Sequence, residues 1–156
     1  LHPQASDFKV GPYLHIDKFT RGKGLFTPVD YIPPAELPDK EYPFLLSTGR
    51  VLYHFHTGSL SRRSKPLDGI APEGFLEISP QDAEKLRIKN NDWVRLSSRR
   101  GKLKVKIKIT DRVDNGVVFM TFHFAQSVAN PLTNDALDPV AKIPEYKVSA
   151  VKIERI

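Results

Sequence analysis

The sequence predicts a mainly β domain that closes into a small barrel with short helices and long loops. Short apolar or alternating segments recur from residue 44 onward, and turn-forming residues bound each of them. A helix-start signature occurs at residues 79–82, where a cap serine is followed by proline and, three residues after the cap, by an acid. This pattern fits neither a four-helix bundle nor a doubly wound sheet.

The predicted elements follow one another closely along the chain. The strands are expected at residues 44–46, 74–78, 93–98, 103–109, 117–121 and 147–153. One short helix is expected at residues 82–86, and residues 99–102 form a hairpin turn that contains Gly101. Five or six short strands, one short helix and long connections describe a small closed β-barrel.

The strand at residues 103–109 has the clearest alternation in the chain. Four lysines, Lys102, Lys104, Lys106 and Lys108, alternate with apolar residues, so one face is core and the other is solvated. A lysine ladder of this kind protects an exposed strand edge from aggregation, and we prefer that interpretation to nucleic-acid binding.

Residues 1–43 are expected to form an extended, proline-rich lead-in, because frequent proline and glycine leave no window long enough for a stable helix. Residues 25–31 could form a short strand, and residues 32–43 are a polyproline-like connector. We therefore divide the chain into a linker at residues 1–43 and a barrel domain at residues 44–156. We expect the linker to make few contacts with the barrel core.

Composition limits the classes of function that need to be considered. The 156 residues are 40% apolar and 27% charged, which is ordinary for one globular domain. The chain has no cysteine, which excludes disulfides, iron–sulfur ligation and a cysteine nucleophile within it. No apolar run is long enough to span a bilayer. A net charge of +6 favours anionic partners, which include nucleic acid, membrane surfaces and phosphorylated ligands.

The strongest functional candidate is the segment at residues 44–63. An apolar strand runs there into a loop with three arginines, two histidines, three serines and two Thr-Gly pairs. Guanidinium groups, hydroxyls and backbone N–H groups together suit an anion that carries phosphates and a hydrogen-bonding base. The alternative is a solvated loop whose arginines pair with nearby carboxylates.

Catalysis within this chain is poorly supported by the same segment. His54 and His56 would share a face on a strand, but no nearby cysteine or carboxylate completes a zinc site. Ser59 and Ser61 lack the flanking glycines of a nucleophile elbow, and no glycine-rich phosphate loop opens a helix. The residues alone therefore predict binding.

Several motifs in fixed order resemble the C-terminal domain of molybdopterin oxidoreductases. The hallmark is carried by residues 47–52 and 54–63, followed by residues 77–80 and 98–101. The closing motifs are similar to those of formate dehydrogenase catalytic subunits and lie at residues 119–124, 129–133, 136–139 and 144–147. The lead-in at residues 19–24 is similar to the same subunits. The resemblance covers nearly the whole chain.

The resemblance implies a six-stranded double-psi β-barrel that binds molybdopterin guanine dinucleotide. In the parent enzyme two such cofactors hold one molybdenum or tungsten, which oxidises formate to carbon dioxide. Iron–sulfur clusters and the metal ligand belong to domains outside this chain. The implied partners are those domains and electron-transfer subunits, with no nucleic acid and no direct membrane insertion. The implied compartment is the cytoplasm, with the periplasm as the alternative.

The resemblance also assigns site residues, none of them catalytic or metal-ligating. The expected cofactor contacts are Thr48, Gly49, Arg50, Val51, Leu52, Tyr53, His54, Phe55, His56, Thr57, Asn130 and Lys147, with Phe122 near the substrate. Tyr53 departs from periplasmic nitrate reductase, which has an acid there. We expect residues 48–57 to meet Asn130 and Lys147 on one rim of the barrel.

Two alternatives remain open. A nitrate reductase-like molybdenum enzyme shares the hallmark loop, so the choice of formate depends on the closing motifs and the lead-in. A free-standing basic barrel that binds nucleic acid or a protein partner would instead use its positive surface as a continuous stripe.

Overall fold

The computed structural model describes residue 15 and residues 17–156. The chain divides into two compact units, residues 1–32 and 33–156. The first part of the predicted lead-in, residues 1–14 and 16, lies outside the described residues. In the remainder of the first unit an isolated bridge joins Phe19 and Gly22, and the strand expected at residues 25–31 does not form.

The second unit contains six strands and two short α-helices. They are β1 (Phe44–Gly49), α1 (Lys65–Ile70), β2 (Phe75–Ile78), α2 (Pro80–Lys85), β3 (Trp93–Ser97), β4 (Lys102–Ile109), β5 (Val117–Thr121) and β6 (Ser149–Arg155). Single turns of 3₁₀ helix occur at Ser61–Arg63, Ala125–Ser127 and Asn130–Leu132.

The six strands form a closed barrel in the order β1-β5-β2-β4-β3-β6. The pairs β1–β5 and β2–β4 are parallel, and the other four pairs are antiparallel. Fully buried aliphatic side chains from all six strands fill the interior, among them Leu46, Val118, Leu76, Ile107, Val94 and Val151. The prediction of a closed six-stranded barrel is confirmed.

The strand β1 is longer than the sequence indicated. Ser47, Thr48 and Gly49 were expected to end it, but they continue the ladder in parallel register with Phe119–Thr121 of β5. The Thr48 side chain is buried. Small polar residues are compatible with an extended backbone once a neighbouring strand satisfies their N–H and C=O groups.

Helix α2 forms as its start signature predicts, although its bounds are shifted to Pro80–Lys85. The Ser79 hydroxyl accepts a hydrogen bond from the Asp82 N–H. Asp82 Oδ2 accepts from the Gly116 N–H at 2.6 Å, and Lys85 pairs with the same carboxylate. Burial opposes ionisation, but these hydrogen bonds and the Lys85 charge hold the pKa of Asp82 below its usual range.

The lysine ladder of β4 faces solvent while Val105 and Ile107 are buried, as the alternation predicts. Protection of a strand edge is the wrong explanation, because β4 is paired on both sides, with β2 and with β3. Two of the lysines instead form ion pairs: Lys106 Nζ lies 2.8 Å from Glu73 Oε1, and Lys108 Nζ lies 3.0 Å from Glu77 Oε1.

The end of the lead-in is tied to the β3–β4 hairpin. Glu36, with 12% of its side chain exposed, accepts hydrogen bonds from Arg99 at 2.6 Å and Arg100 at 2.5 Å. Burial raises the pKa of Glu36, but the two guanidinium groups outweigh it and hold the pKa below its usual value. Arg99 also pairs with Asp39 and lies over the buried Tyr42 ring. The expectation of few contacts is wrong here; the domain boundary after residue 43 stays a prediction.

Across residue 15 and residues 17–156, the structure contains no helix with the length and hydrophobicity needed to cross a membrane.

Candidate functional site

The segments in which site residues were predicted all leave the barrel at one rim. The β1 end at Gly49 lies beside Thr121, the last residue of β5. The strand registers place the end of β3 and the starts of β2, β4 and β6 at the same end of the barrel. The loops after β1, β3 and β5, and the segment before β6, therefore leave from this one rim, which we call the site rim.

On the site rim, hydrogen bonds join the end of β1 to the segment before β6. Lys147 Nζ donates to the Thr48 carbonyl at 2.8 Å, and Thr48 Oγ1 donates to the Tyr146 carbonyl at 2.7 Å. The Phe122 N–H donates to the Gly49 carbonyl at 3.3 Å, and the Phe122 ring lies 5.9 Å from the Lys147 ammonium. The structure thus brings Thr48, Phe122 and Lys147 together; their role in binding stays a prediction.

Asn130 lies on the same rim and makes no hydrogen bond to those residues in the described part of the chain. It begins a 3₁₀ turn that packs against the β3–β4 hairpin, where the Gly101 backbone approaches Pro131 so closely that a Cβ would lie 2.7 Å from the Pro131 oxygen. Arg100 Nη2 donates to the Leu132 carbonyl at 3.0 Å. In the described part of the chain the Asn130 side chain is exposed and makes no hydrogen bond.

Arg50 and the next three residues lead away from the rim and line a cavity of about 610 Å³. Glu77 and Phe119, which point outward from β2 and β5, form part of its wall together with Thr121. The Thr121 hydroxyl is buried and has no hydrogen-bond partner in the described residues. The predicted contact loop therefore divides, with its first residues on the rim and residues 50–53 in this outer cavity.

Gly49 is required by packing where β1 ends. A Cβ there would lie 2.6 Å from Phe119 Cε2 and 2.8 Å from Cζ, which real contacts do not allow. The φ of Gly49 is not in the left-handed region, so backbone freedom is not the reason for this glycine.

His54 and His56 do not share a face, because the segment that contains them is not a strand. The His54 side chain is buried, with Nε2 2.7 Å from the Ala71 carbonyl and Nδ1 3.1 Å from Ser61 Oγ. His56 is exposed and has a φ of 49°. His54 Nε2 thus anchors the loop to the chain after α1, and Nδ1 ties it to Ser61 within the loop. The predicted contact of His54 with a cofactor stays a prediction.

His123 is a residue whose environment the sequence did not reveal. Its ring lies 4.1 Å from that of Phe124 and 5.3 Å from that of His54, centroid to centroid. Both ring nitrogens are buried without a hydrogen-bond partner among the described residues. Burial lowers the pKa of His123, and the nearby His54 and Arg62 lower it further.

The arginines of the loop have different surroundings. Arg62 Nε lies 3.1 Å from Asp68 Oδ1, and its guanidinium covers the Phe124 ring. For Arg62, the alternative interpretation, an arginine paired with a nearby carboxylate, is therefore correct. Arg50 is exposed and forms no ion pair within residues 17–156.

Comparison with known proteins identifies the barrel. The family model described as the molydopterin dinucleotide binding domain matches residues 44–150. The chain belongs to this family. No cluster of three potential metal ligands occurs among the residues that the structure describes.

Two relatives extend the similarity of this molydopterin dinucleotide binding domain beyond residues 44–150. The chain is 54% identical over 145 residues to the alpha subunit of F420-dependent formate dehydrogenase from Methanocaldococcus jannaschii. It is 52% identical over 147 residues to the alpha subunit of F420-dependent formate dehydrogenase 1 from Methanococcus maripaludis. These matches cover 92% and 93% of the chain but 22% of each relative, so the chain spans about a fifth of their length.

A solved structure supports the fold of the domain. Acetylene hydratase from Pelobacter acetylenicus superposes with a TM-score of 0.66 and 20% identity, over 75% of this chain and 19% of that protein. At this identity the likeness shows the fold alone. The barrel is a double-psi β-barrel, as the resemblance implied.

Proposed function

We propose that this domain binds molybdopterin guanine dinucleotide at the site rim. The observation that carries the proposal is the contact between Lys147 and Thr48, which are 99 residues apart in the sequence. Lys147 is exposed, and an ammonium group has three N–H donors. Since the Thr48 carbonyl takes one of them, the others remain for an anionic oxygen of the ligand.

The other groups around the rim and the cavity fit an anionic dinucleotide. Arg50 supplies a guanidinium that no carboxylate in the described chain neutralises, and such forks bind phosphate in a bidentate manner. The exposed Asn130 amide can both donate and accept, as recognition of a pterin or guanine edge requires.

We propose further that the parent protein is the catalytic subunit of a formate dehydrogenase and that this domain is its C-terminal part. The identities of 54% and 52% to alpha subunits of F420-dependent formate dehydrogenases support this reading over a nitrate reductase-like enzyme. Two cofactors would hold one molybdenum or tungsten, which accepts two electrons when formate becomes carbon dioxide. Iron–sulfur clusters would be held by other domains, and electron-transfer subunits would associate with the parent in the cytoplasm.

The nucleic-acid alternative is weakened by the charges on the outer face. Binding of nucleic acid favours a continuous positive stripe. On β4, Lys106 and Lys108 are each neutralised by a glutamate, which interrupts the row of lysines.

The test is Lys147→Ala in the full parent enzyme. Loss of one charge-assisted contact costs about 1.5–3 kcal/mol, so cofactor affinity should fall roughly 10- to 100-fold. Metal and released guanine nucleotide are quantified per protein after purification and dialysis. Lys104→Ala is the matched control, because Lys104 is an exposed lysine on the outer face of β4. Full occupancy of the Lys147→Ala enzyme, with normal formate oxidation, would refute the assignment.

A further inference from the structure

Asn134 is a buried polar residue whose side-chain amide and backbone N–H are all hydrogen-bonded. Its Nδ2 donates to the carbonyls of Glu145 at 2.9 Å and Val148 at 2.6 Å. Its Oδ1 accepts from the Ala136 N–H at 2.9 Å, and its own N–H donates to Ser149 Oγ at 3.0 Å. The residue is 8% exposed, so removing the amide leaves carbonyls that water reaches poorly.

The two carbonyls held by the Asn134 amide lie on either side of Tyr146 and Lys147. This short turn also makes both contacts with the end of β1, through the Tyr146 carbonyl and the Lys147 ammonium on Thr48. The side-chain amide therefore fixes the backbone from which Lys147 extends, and with it the position of the ammonium group.

The segment before Asn134 is fixed independently. Arg100 of the hairpin bridges the Glu36 carboxylate and the carbonyl of Leu132, the last residue of the 3₁₀ turn that begins at Asn130. Arg100 thus holds the turn of Asn130, and Asn134, two residues after that turn, holds the turn of Lys147.

We propose that Asn134 is a positioning residue of the cofactor-binding rim, acting through Lys147. Its amide holds the Tyr146–Lys147 turn against β1, so that the ammonium group is in place before an anionic ligand arrives. Pre-organisation of this kind raises affinity because the ligand does not have to order the turn. The inference rests on the proposed function, since it assigns Asn134 a role only if Lys147 binds the dinucleotide.

The experiment uses the full parent enzyme and follows release of the guanine nucleotide during dialysis. In Asn134→Asp the side chain keeps its shape and its acceptor for the Ala136 N–H, but an oxygen replaces the donor that faces two carbonyls. Release should become roughly tenfold faster, because Lys147 extends from a turn that is no longer held in place before the ligand binds. Should this enzyme not accumulate, Asn134→Ala removes the same donors without adding repulsion and is measured in its place.

The matched control is Ser79→Ala, which removes a buried helix cap at the opposite rim. It should lower the thermal midpoint by a similar amount while nucleotide release stays as in the wild type. Faster release in both variants would overturn the proposal, because general destabilisation would then explain the effect of Asn134.

A double variant separates this inference from the proposed function. In a Lys147→Ala background, the Asn134 change should lower the thermal midpoint without accelerating release any further. If the two changes accelerate release additively, Asn134 does not act through Lys147. If Lys147→Ala accelerates release and the Asn134 change in the wild-type background does not, the positioning role fails while the proposed function stands. If Lys147→Ala itself leaves release unchanged, the proposed function fails at this residue, and the positioning role fails with it.

Discussion

Replacing Gly49 with alanine tests how the end of β1 is packed. The new Cβ would lie 2.6 Å from Phe119 Cε2, whereas carbon atoms in contact are about 3.5–4.0 Å apart, so the ring must move by about 1 Å. Overpacking costs about 1–3 kcal/mol. Alanine also lowers the conformational entropy of the unfolded chain, which stabilises the folded state by about 0.4–1 kcal/mol, since the φ of Gly49 suits any residue. We expect a net loss of about 1–2 kcal/mol, because Phe119 faces a cavity and can yield partly.

The assay is urea denaturation of the chain, with and without Phe119→Leu. Leucine lacks the ring atoms that meet the new Cβ, so in that background Gly49→Ala should be neutral or slightly stabilising. An equal cost in both backgrounds would refute the packing argument, and so would stabilisation by Gly49→Ala in the wild-type background. Either result would mean that this glycine of the hallmark loop serves another purpose.

Two further predictions concern ionisable groups. Asp82→Asn should lower the free energy of unfolding by about 1–3 kcal/mol at pH 7. Folding lowers the pKa of Asp82, so its stabilisation is complete above the pKa of the unfolded chain, about 3.9. This stabilisation is lost as the pH falls through the pKa of the folded protein. The urea midpoints of the wild type and the variant should therefore converge in acid. The pKa of His123 is also lowered, so the unfolded chain takes up the proton first, and stability should fall as the pH drops below about 6.5. His123→Phe should remove that part of the slope between pH 7.5 and pH 5, and identical slopes would contradict it.

Regular elements were predictable because their patterns are local. The alternation in β4 follows from the two-residue period of a strand, and the cap of α2 is formed by residues three positions apart. Helix α1 was missed, since Gly69 and a length of six residues give it little intrinsic helix propensity. The continuation of β1 through Gly49 was missed for another reason: it depends on the ladder with β5, more than 70 residues later.

The candidate site was less predictable, because its contacts are between residues distant in sequence. The motifs pointed to Thr48 and Lys147, but their hydrogen bond depends on closure of the barrel. No local pattern distinguishes Asn134, whose partners are carbonyls up to 14 residues away. The pairing of Glu36 with two arginines more than 60 residues later was likewise invisible in a proline-rich segment expected to be loosely held.

The strand β6 closes the barrel by pairing with β1 on one side and β3 on the other. Joining the first strand to the last requires a loop of about a hundred residues to be ordered, and such non-local pairing makes folding slow. A chain that grows from its N-terminus on a ribosome therefore cannot complete the barrel until β6 has been synthesised. Any ligand held between the end of β1 and Lys147 must bind after that step.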